Sequence, residues 1–175
     1  MRLLGGGCWV LGVCSLMLAA GCTSIDCSVY GTSAANYEFV MAENDTVGGK
    51  GMSVSVLTSR NDSAEDTLLL LVNDQDVSRQ LSVPVSVANG RDELYFILMK
   101  KSDAGRDTLA VDTIVLEKTN VPVFEGVDCD PRYNHKVQSI TTTGQFIETI
   151  EIKDKSIDED PAKVHFYLKL RNFTK

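Results

Sequence analysis

Apolar and polar residues alternate at a period of two in several stretches of this 175-residue chain. The clearest stretches are 52–56, 81–87 and 164–170. Side chains of a β-strand point alternately to opposite faces, so this pattern predicts strands with one apolar face buried and one polar face in water. Antiparallel sheets have this half-buried character.

The remaining strand candidates are 37–42, 109–118, 136–142 and 146–153, together with two continuous apolar runs, 68–72 and 94–99, which we expect to be covered on both faces. Clusters of Gly, Asn and Asp separate them. Eight or nine short strands at this spacing predict an all-β, antiparallel two-sheet β-sandwich, with a small closed β-barrel as the alternative. An outer-membrane barrel is disfavoured, because the strands are short and lack aromatic girdles. Pro84 lacks an N–H, which predicts an edge position or a bulge for its strand.

The N-terminus has the features of a signal peptide. Arg2 is followed by an uncharged apolar stretch, 3–20, that ends in the small residues Ala19-Ala20-Gly21 directly before Cys22. This ending resembles a bacterial lipobox, although Ala19 stands where a large aliphatic residue is usual. The resemblance implies cleavage before Cys22, which would carry diacylglycerol and a further acyl chain such as palmitate. The alternatives are an ordinary secretory signal and an uncleaved anchor.

We therefore expect a signal peptide at 1–21, a lipidated tether at 22–35 and a β-sandwich domain at 36–175. Cys8 and Cys14 would leave with the signal, and Cys22 would be lipidated. Cys27 and Cys129 would remain, and an oxidising compartment favours one disulfide between them. The net charge of −7 argues against nucleic acid as a partner.

The sequence offers little for catalysis or metal binding. The two histidines, His135 and His165, are expected in a solvated loop and on a polar strand face, and no Gly-x-Ser-x-Gly motif accompanies them. Three acidic clusters lack the spacing of a calcium loop and are expected to be solvated turns; they lie at 74–76, 128–130 and 158–160. We therefore expect no catalytic residue, no metal site and no cofactor. Trp9 would leave with the signal, which disfavours sugar-binding sites.

A short pattern, Asp followed by Ser or Thr and then by a small or aliphatic residue, occurs five times, with the hydroxyl residues Thr46, Ser63, Thr67, Thr108 and Thr113. It resembles the sequence at which Bacteroidota O-glycosylate exported proteins, which makes these five residues candidate glycan sites. The other interpretation is that Asp-Thr ends a turn and begins a strand, as the propensities of both residues favour.

The body resembles small uncharacterised lipoproteins of Bacteroidota that are known only as domains of unknown function. The resemblance depends on Cys27 close to the anchor, the two Asp-Thr-Leu strand openings, Asp128-Cys129-Asp130, and the segment 147–152. It implies a lipid-anchored envelope protein without an assigned activity. We expect a non-enzymatic binding or assembly module on the outer membrane, facing the periplasm, with an envelope protein as its partner. The alternatives are a surface-exposed glycan- or ligand-binding lipoprotein and, third, an enzyme.

Overall fold

The computed structural model describes residues 33–40, 51–59, 67–78, 80–102, 105–126 and 129–171. These residues form ten β-strands and no helix. The strands are β1 (Ala34–Val40), β2 (Met52–Ser59), β3 (Leu68–Asp76), β4 (Leu81–Pro84), β5 (Arg91–Ser102), β6 (Gly105–Val123), β7 (Arg132–Thr142), β8 (Ile147–Ile152), β9 (Ser156–Ile157) and β10 (Phe166–Leu170). The described part of the chain accordingly holds no helix that could span a membrane.

The strands form two sheets that face each other. One sheet has four strands in the order β4-β1-β10-β8, and the other has six in the order β3-β2-β5-β6-β7-β9. This confirms the predicted two-sheet β-sandwich. The antiparallel prediction holds for every described pair except β1 and β10, which run parallel, with Tyr37 opposite Phe166.

Alternation along the strands produces the core. On β10, Phe166, Leu168 and Leu170 are buried, and the residues between them are not. Tyr37 stacks on Phe166 at 4.9 Å between ring centroids and meets Phe96 of the opposite sheet edge-to-face at 5.5 Å. Each such side chain contributes roughly 1.5–3 kcal/mol by its burial, so these contacts hold the two sheets together.

The four sheet edges belong to β3, β4, β8 and β9. Pro84 closes the edge strand β4, as its missing N–H predicts. The prediction that 68–72 is covered on both faces is wrong, because Leu68, Leu69 and Leu70 on the edge strand β3 are 54 %, 51 % and 50 % exposed. The other continuous run lies on the central strand β5, where Leu94, Phe96 and Leu98 are buried.

Asp112 on β6 fixes the place where the chain crosses between the sheets. Its carboxylate is fully buried and accepts hydrogen bonds from the Thr143 hydroxyl (2.7 Å) and from the backbone N–H groups of 145, 146 and 147. Burial acts to raise the pKa of Asp112, but these bonds to the ionised form outweigh it and hold the pKa below its ordinary value. The crossing from β7 to β8 therefore depends on one carboxylate.

Candidate functional site

A groove of about 740 Å³ opens at one end of the sandwich, on the side where the edge strands β3 and β4 lie. Its walls come from the last residues of β2, from β3, from the segment between β4 and β5, and from the first residues of β5. The apolar lining is Leu69, Leu71, Pro84, Val85, Ala88 and Leu94, and the polar lining is Thr58, Ser59, Ser86, Asn89, Arg91, Asp92 and Glu93.

The β3 wall is shaped by an irregularity in strand pairing. Leu57 lies opposite Leu70 and the preceding residue, Val56, lies opposite Val72, so β3 has one additional residue, Leu71, at this point. Leu71 and Val72 pack against the core. Leu69, two residues before Leu71, lines the groove while half of its surface stays in water.

The segment 85–90, here called the groove loop, forms the opposite wall and is tied down by two side chains of β6. Lys118 Nζ donates to the carbonyls of Ser86 (2.7 Å) and Asn89. The Asn120 amide donates to the carbonyls of Val87 (2.7 Å) and Asn89 (3.0 Å). Gly90 is close enough to β6 that an added Cβ would lie 3.3 Å from the Lys118 carbonyl. The groove loop is therefore held in place by the sheet below it.

Lys118 also forms an ion pair at the base of the groove. Its ammonium lies 3.3 Å from Asp92 Oδ2, and the Lys118 side chain is fully buried. Burial raises the pKa of Asp92 and lowers the pKa of Lys118, and the attraction between the two charges offsets part of each shift. Asp92 in turn accepts the Ser86 N–H at 3.3 Å. With three acceptors around its three N–H groups, the ammonium is satisfied without water.

The rim of the groove is charged but internally paired. Arg91 lies 3.1 Å from the Glu93 carboxylate, which also accepts the Tyr95 hydroxyl at 2.9 Å. With Asp92 paired to Lys118, each charged group of the lining faces an opposite charge. Such a site favours an apolar occupant rather than an ionic one.

His135, expected in a solvated loop, instead lies on β7 and is 1 % exposed. The Asn120 amide nitrogen donates to two carbonyls, so Asn120 Oδ1 accepts, and His135 Nδ1 donates to it at 2.8 Å. Burial, together with the Lys118 charge, lowers the pKa of His135 to about 4. His135 is therefore a neutral support for Asn120 and, through it, for the groove loop.

The expectation that His165 lies on a polar strand face is also wrong. His165 precedes β10 and is fully buried, because its backbone N–H donates to Asn36 O (2.9 Å) while its Nδ1 accepts the Asn36 N–H (3.0 Å). Strand alternation does not apply at this position, and the ring turns inward. Burial outweighs the nearby acidic groups Asp154 and Asp158 and lowers the pKa of His165.

None of the predicted modification sites that the structure describes is among the residues that line the groove. Cys22, Cys27, Thr46 and Ser63 lie outside the described residues, so the lipidation, the Cys27–Cys129 disulfide and two glycan sites stay predictions. Thr67 and Thr108 are exposed and Thr113 is half-buried. Asp112 and Thr113 lie in the middle of β6, so this pair does not end a turn and begin a strand, and Asp112 has the structural role described above.

Of the acidic clusters expected in turns, 74–76 instead ends the strand β3 directly before a turn, 158–160 lies outside the strands, and residue 128 of the third cluster lies outside the described residues. Asp76 accepts the N–H of residue 78, and Asp158 accepts the N–H of residue 160 and pairs with Lys163 at 2.8 Å. Within the described ranges, no group of three His, Cys, Asp or Glu side chains is placed to hold a metal ion.

Sequence reasoning missed the groove and the Lys118–Asp92 pair. One signal was available in β6, where every second side chain points to the same face of the strand. The apolar residues Ile114 and Leu116 mark the buried face, and Asp112 and Lys118 lie on that same face. A lysine and an aspartate on a buried face indicate buried polar contacts. No signal in one sequence marks the groove, since it arises from the separation of β3 and β4.

Comparison with known proteins gives one match. A family of unknown function, DUF6452, matches residues 53–170, which include β3 to β10 and most of β2. The chain belongs to this family. No curated protein and no solved structure matches it. DUF6452 has no assigned activity, so the function has to be argued from the groove itself.

Proposed function

We propose that this DUF6452 protein is a lipid-anchored binding module of the cell envelope and that the groove between β3 and β4 receives its ligand. The observation that carries the binding role is the groove. It combines apolar walls with a rim whose charges are mutually paired. Concave, mostly apolar sites with a few fixed polar groups are the usual form of a binding site.

The rigidity of the groove loop supports binding rather than a passive surface irregularity. Lys118 and Asn120 together donate four hydrogen bonds to carbonyls of this loop. Little conformational entropy would then be lost in the protein when a ligand enters, which favours affinity.

The entry of the chain into the fold supports a position close to the membrane. Ser33 is the first described residue, and its carbonyl accepts the N–H of Val85, a groove residue, at 3.2 Å. Ser33 is eleven residues after Cys22, and a fully extended chain of eleven residue steps spans at most about 36–40 Å. A lipid on Cys22 would hold the groove within that reach of the bilayer. The periplasmic side of the outer membrane is the side we propose, since 23–26 contains one acidic residue only.

Two measurements test the two halves of this proposal. For the anchor, cells producing the full chain are labelled with radioactive palmitate, and the Cys22→Ala variant is compared. We expect label and membrane association in the wild type and loss of both in the variant. Label retained by Cys22→Ala would contradict the proposed lipidation site.

For the groove, the neutral, apolar fluorescent probe N-phenylnaphthylamine is titrated into the full-length protein in lipid nanodiscs, with empty nanodiscs as background. We expect saturable binding that weakens about tenfold or more in Leu69→Arg, which places a charge on the apolar wall. Leu109→Arg is the matched control, because Leu109 is a half-exposed leucine outside the groove lining. Equal binding by both variants would contradict the assignment of the groove as the binding site.

A further inference from the structure

Residues 121–124, here called the apolar tip, end β6 and begin the connection that follows it. All four are apolar, and Val121, Pro122 and Phe124 are exposed. Phe124, at 68 %, is the most exposed large apolar side chain of the described residues. The first residue of β5 lies opposite Glu117, and beyond that point β7 is the one described strand that pairs with β6. The apolar tip therefore projects beyond most of the six-stranded sheet.

Apolar side chains are exposed on both faces of β6 near the apolar tip. Asn120 points to the face that carries the groove loop, since its amide donates to the Val87 carbonyl at 2.7 Å. Val121, the next residue, points to the opposite face, and the Val87 side chain is itself exposed. A flat protein surface would cover one face of this strand end, whereas lipid can surround both. Exposure on two faces therefore favours a lipid phase over a protein partner.

The chain enters the fold beside the apolar tip. The Ser33 hydroxyl donates to the Tyr133 carbonyl at 2.6 Å, and Tyr133 lies opposite Pro122 in the pairing of β7 with β6. A lipid on Cys22, eleven residues before Ser33, would hold the apolar tip close to the bilayer. We infer that the apolar tip inserts into the interfacial region of the lipid bilayer. This inference rests on the proposed anchor.

The charges beside the apolar tip specify the lipid surface. Glu125 directly follows the tip, Asp130 lies in the same connection between β6 and β7, and both are exposed. Arg132, opposite Val123, pairs with Glu159 at 3.9 Å. An anionic surface would repel these acidic groups and the net charge of −7, so the favoured partner is a zwitterionic lipid surface. The same net charge argues against a second copy of this chain on the tip.

Tryptophan fluorescence tests the insertion directly. Trp9 is the one tryptophan of the chain, so a Trp9→Phe background gives each variant a single reporter. Phe124→Trp reports on the apolar tip. Leu109→Trp is the matched control, because Leu109 is a half-exposed residue near the opposite end of β6, roughly 45–50 Å away along the strand. The full-length variants are reconstituted into phosphatidylcholine vesicles with or without bromine on the acyl chains, and flotation confirms that the protein is attached. Bromine quenches tryptophan only at short range.

We expect brominated lipid to quench roughly half or more of the fluorescence of Phe124→Trp and to leave Leu109→Trp unchanged. Circular dichroism confirms that both variants fold. Partial replacement of phosphatidylcholine by phosphatidylglycerol should reduce the quenching, and quenching that stays equal or rises would overturn the choice of a zwitterionic surface.

Three other outcomes would overturn the insertion itself. Protein that floats with the vesicles but shows no quenching of Phe124→Trp, or equal quenching of both reporters, would refute this inference and leave the anchor in place. A concentration-dependent dimer in detergent that Phe124→Glu abolishes would assign the apolar tip to a second copy. Protein that does not float with the vesicles would refute the anchor and this inference together.

Discussion

At the scale of single residues, buried polar side chains maintain the groove. Lys118 is a buried cation that pairs with Asp92. Removal of one partner of a buried ion pair destabilises a protein strongly, because the other charge stays buried without a partner. The two histidines are buried in their neutral form and are held by hydrogen bonds to Asn120 and Asn36. Lys118 and Asn120 hold the groove loop, and His135 supports Asn120, whereas His165 holds the pairing of its own backbone with Asn36. Replacement of any of these side chains should therefore change the free energy of unfolding.

Replacement of Lys118 by Met should destabilise the protein by about 3 kcal/mol, because it leaves Asp92 buried without its cation and frees two loop carbonyls. The free energy of unfolding from urea denaturation measures this. Lys153→Met is the matched control, since Lys153 forms an exposed pair with Glu151 at 2.8 Å, and no measurable change is expected there. The double variant Lys118→Met, Asp92→Leu should recover a large part of the loss. A loss in Lys118→Met no larger than in Lys153→Met would contradict this role.

Acid should destabilise the protein before its carboxylates are protonated. The pKa of His135 is about 4 in the folded protein and about 6.5 in the unfolded chain, so between these values the unfolded state binds a proton that the folded state does not. Stability should then fall from about pH 6.5 downwards, by on the order of 3 kcal/mol at pH 4 for this group. His165 acts in the same direction, because its pKa is also lowered. Urea denaturation as a function of pH tests this, and His135→Gln should remove part of the slope. A stability that stays constant from pH 6.5 to 4 would contradict the neutral, buried state of both rings.

At the scale of secondary structure, much of the strand content could be predicted because alternation reflects burial directly. The segment 52–56 lies within β2, and the segments 81–87 and 164–170 contain β4 and β10. The prediction failed where a residue lies beside a strand rather than within it. The sequence pattern places His165 among the polar, outward positions, but its backbone pairs with Asn36 before β10 begins, and the ring turns into the core. The prediction for the apolar run 68–72 failed for another reason, because hydrophobic periodicity cannot distinguish a central strand from an edge strand.

Asp112 gives a prediction for the connection between β7 and β8. Asp112→Asn should cost about 2 kcal/mol or more, because both carboxylate oxygens of Asp112 accept hydrogen bonds from a total of four donors, whereas an amide has only one acceptor oxygen. The lowered pKa of Asp112 also means that its contribution is present above pH about 4 and is lost as pH falls through the folded-state pKa. Hydrogen exchange of residues 145–147 measures the local effect, and Asp107→Asn on the exposed part of β6 serves as control. Unchanged exchange of these amides in Asp112→Asn would show that the crossing does not depend on this carboxylate.

At the scale of the whole molecule, the predicted disulfide would join the tether to the loop between β6 and β7. Cys129 lies there, half-buried, with its sulfur 3.8 Å from the position of a Cβ added to Gly126. A bond from Cys129 to Cys27 would close a loop of about 100 residues, for which chain entropy gives roughly 4.7 kcal/mol. We expect no alkylation of either thiol in the exported, unreduced protein, and a lower melting temperature in Cys27→Ser. Two alkylatable thiols would contradict the bond.

The binding role of this protein is argued from the groove beside β3 and β4. The most direct test is NMR of the full-length protein in nanodiscs, with and without the neutral probe N-phenylnaphthylamine. The resonances of Leu69, Leu71 and the groove loop 85–90 should shift, because they form the walls of the groove, while those of β8 stay unchanged. Shifts confined to other strands, or no shift along the groove at a saturating probe concentration, would contradict the groove as the binding site.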